Sequence, residues 1–491
     1  MIRVDPEAVL SPEEDYGLAT LIDLARLLAL EAGARAEGED IVRVTVTPSP
    51  TADRVGEPSD LARGQWAFAV RDGEVGIPRH LLARVTALAG AGAEQRSSAR
   101  DRHGRVPSSE NPLVAAGDFR DPVVSRCAAA LRAAVVQAAA GRPVWVLDPW
   151  PDGKRWCVAM THDLDVVAWW PLATGLRIAE LLAGGHPLRA AHVVGSAVLG
   201  TLATVLDDAP VRHGVQGVLA VEASLGLRST WFVLAGTPGV ASLRAGDITY
   251  RPESRAARRI LASVWSSGHE IGLHGSFATA EDGSVFAVQR SRLRAVSEGD
   301  PAGVRQHFLK MRPGLTQRGM AAAGFAYDAT YGFPDRNGFR LGVADVVPAW
   351  DDRLRQTTSL DEIPLMWMDR AQSKYQGIED PEHWVEDALE TARACESVEG
   401  LWVGLWHPNL TPALGYPGAP PAYRRLLMAL MARDPYVATL DRIVAWRRLR
   451  RSVRAKGITP DGGVVLTKPR SGASADVFRV SVRLLSPTTP P

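Results

Sequence analysis

The chain has 491 residues, more than one ordinary domain needs, and 46% of them are hydrophobic, enough for a sizeable core. Lys and Arg (56) nearly balance Asp and Glu (55), which argues against nucleic acid or a polyanion as partner. Cys127, Cys157 and Cys395 make no CxxC pair or disulfide framework, the acidic N-terminus lacks an apolar leader core, and the longest apolar stretch, Val193 to Leu206, is too short to span a bilayer, so a cytoplasmic protein without a membrane span is expected.

Residues 1–150 read as a smaller α/β N-terminal domain. Asp15 to Ala34 carries an amphipathic helix pattern and Ile41 to Thr47 alternates like a strand. Trp66–Val70 and Glu74–Ile77 flank the turn Arg71-Asp72-Gly73, the signature of a hairpin. Ser97 to Gly117 is a polar loop, and Asp121 to Ala140 returns to helix. No catalytic constellation stands out, so a structural or specificity role is expected. Asp148-Pro149-Trp150-Pro151-Asp152-Gly153 is a turn-rich linker between this region and the next.

From 154 to 451 strand and helix patterns alternate, as in α/β units around a mostly parallel sheet. Strands are predicted over Trp156–Thr161, Ser229–Ala235, His269–His274, Val304–Phe308, Ala326–Thr330 and Leu401–Trp406. Helices are predicted over Ser254–Ser266, Ser284–Ser297, Thr316–Ala323, Pro381–Cys395, Ala422–Ala432 and Leu440–Leu449. Residues 169–215 form a mostly helical insertion after the first strand, and its first residue, Trp169, could stack on a sugar ring, although packing is the commoner role of a tryptophan. In the tail, 452–491, Gly463–Thr467 and Val477–Leu485 look like short strands joined by the polar loop 468–476, a short β-rich appendage with a disordered end.

Four short stretches carry chemistry. In Trp156-Cys-Val-Ala-Met-Thr-His-Asp-Leu-Asp165 a buried strand stops at two acids that share one side, Asp163 and Asp165. Two such acids disfavour each other's ionisation, and are tolerated when a metal or cation compensates them or when one must act as a base. The bland alternative is an Asp-rich turn capping a helix. Gly268-His-Glu-Ile-Gly-Leu-His-Gly-Ser276 is no zincin, because Leu273 stands one helical turn after His269, and strand alternation puts Glu270, Gly272 and His274 on one face. His269, on the other face, is expected to be structural. Val304-Arg-Gln-His-Phe308 puts Arg305 and His307 on one face, and an Arg beside a carboxylate fixes its place and favours its charge. Gly404-Leu-Trp-His-Pro408 ends a strand at His407. Each signal is weak alone. Together they put two Asp, one Arg and three His at the C-terminal ends of four strands, where active sites of parallel α/β barrels lie.

This order of motifs resembles the NodB-homology polysaccharide deacetylases, carbohydrate esterase family 4 in the broad sense, over roughly Arg155 to Arg451. T-H-D-L-D is similar to that family's first motif, G-H-E-I-G-L-H-G-S to its second, R-Q-H-F stands where the family has R-P-P-Y, and G-L-W-H resembles its last motif. The run Ala322 to Arg336 is similar to a block in a bacterial subgroup that also carries an N-terminal domain. The resemblance implies a distorted (β/α) barrel of about seven strands. It implies a sugar or glycan substrate, and a divalent metal, zinc being expected, held by Asp165 and His274. Where the family's second motif continues to another His, this chain has Ala278, so His307 is the candidate third ligand. By the same resemblance Asp163 is the base, oriented by Arg305. The metal would lower the pKa of its water, the oxyanion would sit on the metal and the Phe308 N–H, and His407 would protonate the departing amine, held protonated by Asp335 or, as second choice, Asp369. The implied reaction removes an N-acyl group, most simply acetyl, from a sugar. Ala278 favours the competing expectation, a catalytically degenerate barrel that binds glycans or serves as a scaffold.

Overall fold

The computed structural model describes residues 1–6, 9–32, 41–48, 68–167, 170–204, 209–240, 242, 247, 249–414, 416–459, 463–467 and 480–485. Trp169 and the polar loop 468–476 lie outside the described residues, as do 486–491. Among the described residues, no helix is long and apolar enough to cross a membrane.

The N-terminal region builds a four-stranded sheet from β1 (Ile2–Val4), β2 (Val42–Thr47), β3 (Ala69–Arg71) and β4 (Glu74–Pro78), in the order β1-β2-β4-β3. β3 and β4 are the expected hairpin, antiparallel around Asp72-Gly73. The helix Pro12–Leu24 starts at a capping box in which Ser11 and Glu14 bond each other's backbone N–H. It packs with helices Arg79–Ala89 and Val123–Ala138 over the sheet, and this core also takes in Met311, Tyr331, Leu341, Val343 and Trp350 from the later chain. The pattern that predicted helix as far as Ala34 stops early: Leu27 and Leu30 bridge to Val146 and Ala455 as short extended pieces instead.

After β5 (Val144–Leu147), the main sheet uses β6 (Cys157–Leu164), β7 (Thr230–Leu234), β8 (Glu270–Gly275), β9 (Gly303–Gln306), β10 (Tyr327–Asp328), β11 (Val347–Asp351), β12 (Gln356–Glu362), β13 (Trp367–Met368), β14 (Leu401–Leu405) and β15 (Tyr436–Val437). The order is β11-β12-β10-β9-β8-β7-β6-β14-β13, with β15 beside β6; β11 runs antiparallel to β12 and every other pair is parallel. Helices cover the outer face, so β6, β7 and β14 are buried along their whole length, and β7 and β14 read as nearly continuous apolar runs.

The sheet is mixed and curled into an open half-barrel, in keeping with a distorted α/β barrel. Among the described residues no ladder joins β13 to β12 or β11. Coil spans the gap: Leu365 N–H donates to Tyr331 O at 2.9 Å and Met366 N–H to Val403 O at 3.1 Å. Pro364 has no N–H to give to a ladder there. β11, β12 and β13 were missed by sequence reading, because β12 (Gln-Thr-Thr-Ser-Leu-Asp-Glu) is polar over its first half and β13 is two residues long.

The tail strands also differ from expectation. β17 (Val464–Leu466) pairs antiparallel with β16 (Ala455–Ile458), while β18 (Val482–Leu485) pairs with β5, Val482 opposite Leu147. They are not partners of each other.

Candidate metal centre and active site

The first strand runs three residues beyond the predicted end, through Leu164, in register with β7 so that Asp163 stands opposite Phe232. Its alternation sends Thr161, Asp163 and Asp165 inward. His162 points out, where its ring lies 4.4 Å from that of Trp231 and its Nε2 is 3.0 Å from Glu222 on the helix Ala209–Ser224. His269 is a structural residue as expected: its Nδ1 accepts from Ser229 N–H at 3.0 Å.

Curling brings β9 across the interior to β6. The fully buried Arg305 donates from Nη1 to Asp163 Oδ1 at 2.9 Å and to Thr161 Oγ1 at 2.9 Å, and from Nε to Ala329 O at 2.9 Å. Its guanidinium lies 4.5 Å above the Phe232 ring. That ring is admitted by Gly272 on β8, where a Cβ would sit 2.8 Å from it. A buried pair of this kind costs about 3–5 kcal/mol to break from one side, so the orientation of Asp163 is firmly held.

Asp165 meets three imidazoles. His274 Nε2 is 3.3 Å from Asp165 Oδ1, His307 Nε2 is 3.6 Å from the same oxygen, and His407 Nε2 is 3.7 Å from Oδ2. Burial by itself would raise the Asp165 carboxyl, but the histidines, His274 nearest, outweigh it and hold the acid well below the usual carboxylate range.

The donor set fits a divalent cation. One ligand atom each from Asp165, His274 and His307 lies within 4.8 Å of the others. His274 Nδ1 donates to Arg305 O at 2.9 Å, and His307 Nδ1 is 2.8 Å from Asp247 Oδ1, which leaves both Nε2 lone pairs for the interior. Asp165 Oδ1 and His274 Nε2 lie 3.3 Å apart, and both are buried without a hydrogen-bond partner among the described residues. Orphaned acceptors of this kind, with an imidazole–carboxylate set around them, are what a cation would satisfy. Ala278 lies exposed on the short helix Phe277–Glu281 and has no side chain that could bind an ion; His307 supplies the third ligand-type atom of the cluster.

On the other flank His407 Nδ1 is 2.6 Å from Asp369 Oδ1, and the same carboxylate takes the His407 backbone N–H at 2.6 Å. Burial would lower the imidazole, but Asp369 outweighs it and raises His407 above its ordinary value. Asp369, not Asp335, is therefore the acid behind His407. Asp335 sits in the turn after Pro334, where it accepts from Ser108 Oγ and pairs with Arg336 at 3.1 Å. The apolar run Leu365-Met-Trp-Met368 ending in Asp369 repeats the strand-then-acid pattern of β6, a signal that could have found it.

Asp163, Asp165, His274, His307, Phe308 and His407 line one pocket of about 100 Å³. Phe308 is not on a strand as predicted. β9 ends at Gln306, and a tight turn comes next in which Phe308 (φ 58°) and Leu309 (φ 53°) are both left-handed, a costly pairing that surrounding contacts must hold. One such contact comes from the N-terminal region: Arg105 Nη1 donates to Phe308 O and to Tyr375 Oη, both at 3.2 Å, while its Nε is fixed by Asp101 at 2.7 Å. Sequence reading missed Arg105 and Asp247, because both lie in coil without periodicity.

Fold and site together define a curled α/β sheet whose strand ends gather an Asp-His-His metal-type centre between an Arg-held carboxylate and a carboxylate-paired histidine. Beyond these features, the chain is similar to polysaccharide deacetylases of the NodB-homology type. No protein-family profile matches it, and no curated protein does. A structure from Mycobacterium smegmatis assigned as a polysaccharide deacetylase is 23% identical, covering 66% of this chain and 97% of that one at a TM-score of 0.42. One from Pseudomonas aeruginosa, assigned likewise, is 15% identical, covering 61% and 94% at 0.41. A carbohydrate esterase family 4 pseudoenzyme from Bacillus anthracis is 10% identical, covering 60% and 66% at 0.29.

Proposed function

We propose that the protein is a metal-dependent hydrolase that removes an N-acyl group, most simply N-acetyl, from a sugar or glycan intermediate in the cytoplasm. The observation that carries this reading is the convergence of Asp165, His274 and His307 within 4.8 Å, beside an Asp163 already held by Arg305. Asp165, His274 and His307 would hold the ion, and two imidazoles with one carboxylate suit zinc. Such an ion, when bound, supplies Lewis acidity to the acyl oxygen and brings a water's pKa toward neutrality.

The chain's own groups divide the proton work. Asp163 has Oδ1 committed to Arg305, so Oδ2 is the atom that takes the proton from the attacking water. His407 has Nδ1 committed to Asp369, so Nε2 carries the proton for the departing amine. Asp369 raises that imidazole above its ordinary value and aims it. The N–H of Phe308, in the left-handed turn at the pocket wall, is the candidate oxyanion donor.

Ala278 is the one feature favouring a catalytically degenerate, glycan-binding or scaffold protein. Metal content of the purified protein, together with acetate release from N-acetylated sugars, separates the two. One equivalent of metal and metal-dependent acetate release are expected. Glycan binding without either would establish the scaffold instead.

A further inference from the structure

The pocket that holds the metal-type centre has a second, cationic wall. It is made by Arg370, one residue past Asp369, and by Lys374 on the π-helical turn Ala371–Gln376. Among the described residues neither side chain has an ion-pair partner. Arg370 donates from Nη1 to Tyr416 Oη at 2.8 Å. Lys374 Nζ meets aromatic faces only, 5.2 Å from the centre of the Phe308 ring and 5.9 Å from that of Tyr375. Partial loss of hydration and the neighbouring Arg370 hold its ammonium below the ordinary value, against the opposing pull of Glu180 and Asp165.

The nearby carboxylates are already committed. Asp163 belongs to Arg305, Asp165 to the three imidazoles, and Glu180 pairs with Arg177 at 2.8 Å. Two cations without an ion-pair partner among the described residues thus open onto the pocket; against burial, Tyr416, Glu180 and Asp369 raise the Arg370 guanidinium, whereas Lys374 stays below its ordinary value. The wall is also held in place: Arg105 ties Tyr375, next to Lys374, to the Phe308 turn. A wide π turn of this kind is common at functional sites.

We infer that Arg370 and Lys374 form an anion subsite, and that the acylated sugar carries a phosphate. A single carboxylate would balance one of the two cations, whereas a phosphate monoester or a diphosphate matches both, with Arg supplying a planar fork and Lys a point charge. The inference rests on the hydrolase reading of the same pocket and narrows it to sugar phosphates or sugars on a diphosphate carrier.

The test is calorimetric titration of the metal-loaded, full-length protein with N-acetylglucosamine and with its 1-phosphate. The phosphate should bind about tenfold tighter or more. The preference should collapse in Lys374→Met and in Arg370→Met, and shrink as salt rises from about 0.05 to about 0.5 M. Lys374 is exposed, so its replacement leaves folding intact. Equal affinity for the two sugars would overturn the subsite. So would a preference that survives both substitutions, because the phosphate would then be sitting on the metal. The nucleotide-diphosphate form and a short-chain prenyl-diphosphate form of the sugar separate a soluble from a lipid carrier: the subsite stands if either beats the neutral sugar and falls if neither does. Acetate release is scored apart from binding. Equal hydrolysis and equal binding of neutral and phosphorylated sugar would remove the subsite and leave the hydrolase. Phosphate-selective binding without hydrolysis would do the reverse.

Discussion

His307 Nδ1 lies 2.8 Å from Asp247 Oδ1, and the other oxygen of that buried carboxylate accepts the backbone N–H of Phe277 at 2.8 Å. Asp247 therefore fixes both the tautomer and the direction of the His307 imidazole, the third candidate ligand. Outer carboxylates of this kind are worth about 10–100-fold in metal affinity. Asp247→Ala should weaken zinc binding by that factor in a competitive chelator titration, and His307→Ala should weaken it more. Unchanged affinity in both variants would exclude His307 from the ligand set.

Metal removal should also lower thermal stability. An ion that binds only the folded chain contributes about 2.7 kcal/mol at a free concentration of about 100 times Kd. The melting temperature should fall on chelation and recover on adding zinc, and the shift should vanish in Asp165→Ala. A chelator-insensitive melt would argue that the orphaned Asp165 and His274 atoms hold no ion.

Asp163 and Asp165 sit two residues apart and should fail differently. Asp163→Asn keeps an acceptor for Arg305 but loses the proton-accepting oxygen. Turnover, measured as acetate release, should drop by a factor of about 10²–10⁴, with metal stoichiometry unchanged. Full activity in this variant would take the base role away from Asp163.

The Asp369–His407 pair fixes the sign of a pH effect. Asp369 raises His407, so the proton needed by the leaving amine is kept to higher pH than an isolated imidazole would keep it. Asp369→Asn removes that carboxylate, lowers His407, and should move the alkaline limb of kcat to lower pH. The same substitution at Asp335, which touches Ser108 and Arg336 instead, should leave the limb in place.

A second pH effect lies away from the pocket. Asp328 and Glu362 face each other in register on β10 and β12, both buried, and Glu362 Oε2 has no hydrogen-bond partner. Burial first, and then each other's charge in the case of Glu362, raise both acids. Folded chains thus hold these protons to higher pH than unfolded ones. Their contribution is complete below the ordinary carboxylate range and is lost as pH rises through the folded values. Glu362→Gln should stabilise the protein at neutral pH by about 1–3 kcal/mol and flatten the decline of the melting temperature with pH. An equally steep decline would show that the pair does not titrate in this range.

Strand cores, and the residues at their ends, were legible from local pattern alone. Alternation over β6, β8 and β14 put Asp163, Asp165, His274 and His407 at strand termini, because a two-residue period fixes which side chains share a face. Helix ends were legible where capping chemistry is local, as at Ser254, whose side chain accepts the Ala257 N–H. Which partner stands behind each site residue emerges from the folded chain. Asp369 rather than Asp335 meets His407 because two-residue β13 pairs beside β14, a long-range register that no local pattern encodes. Asp247 reaches His307 across 60 positions, and Arg105 reaches Phe308 across 203. Contacts between coil segments depend on how the sheet curls and where loops return, and neither leaves a period in the chain.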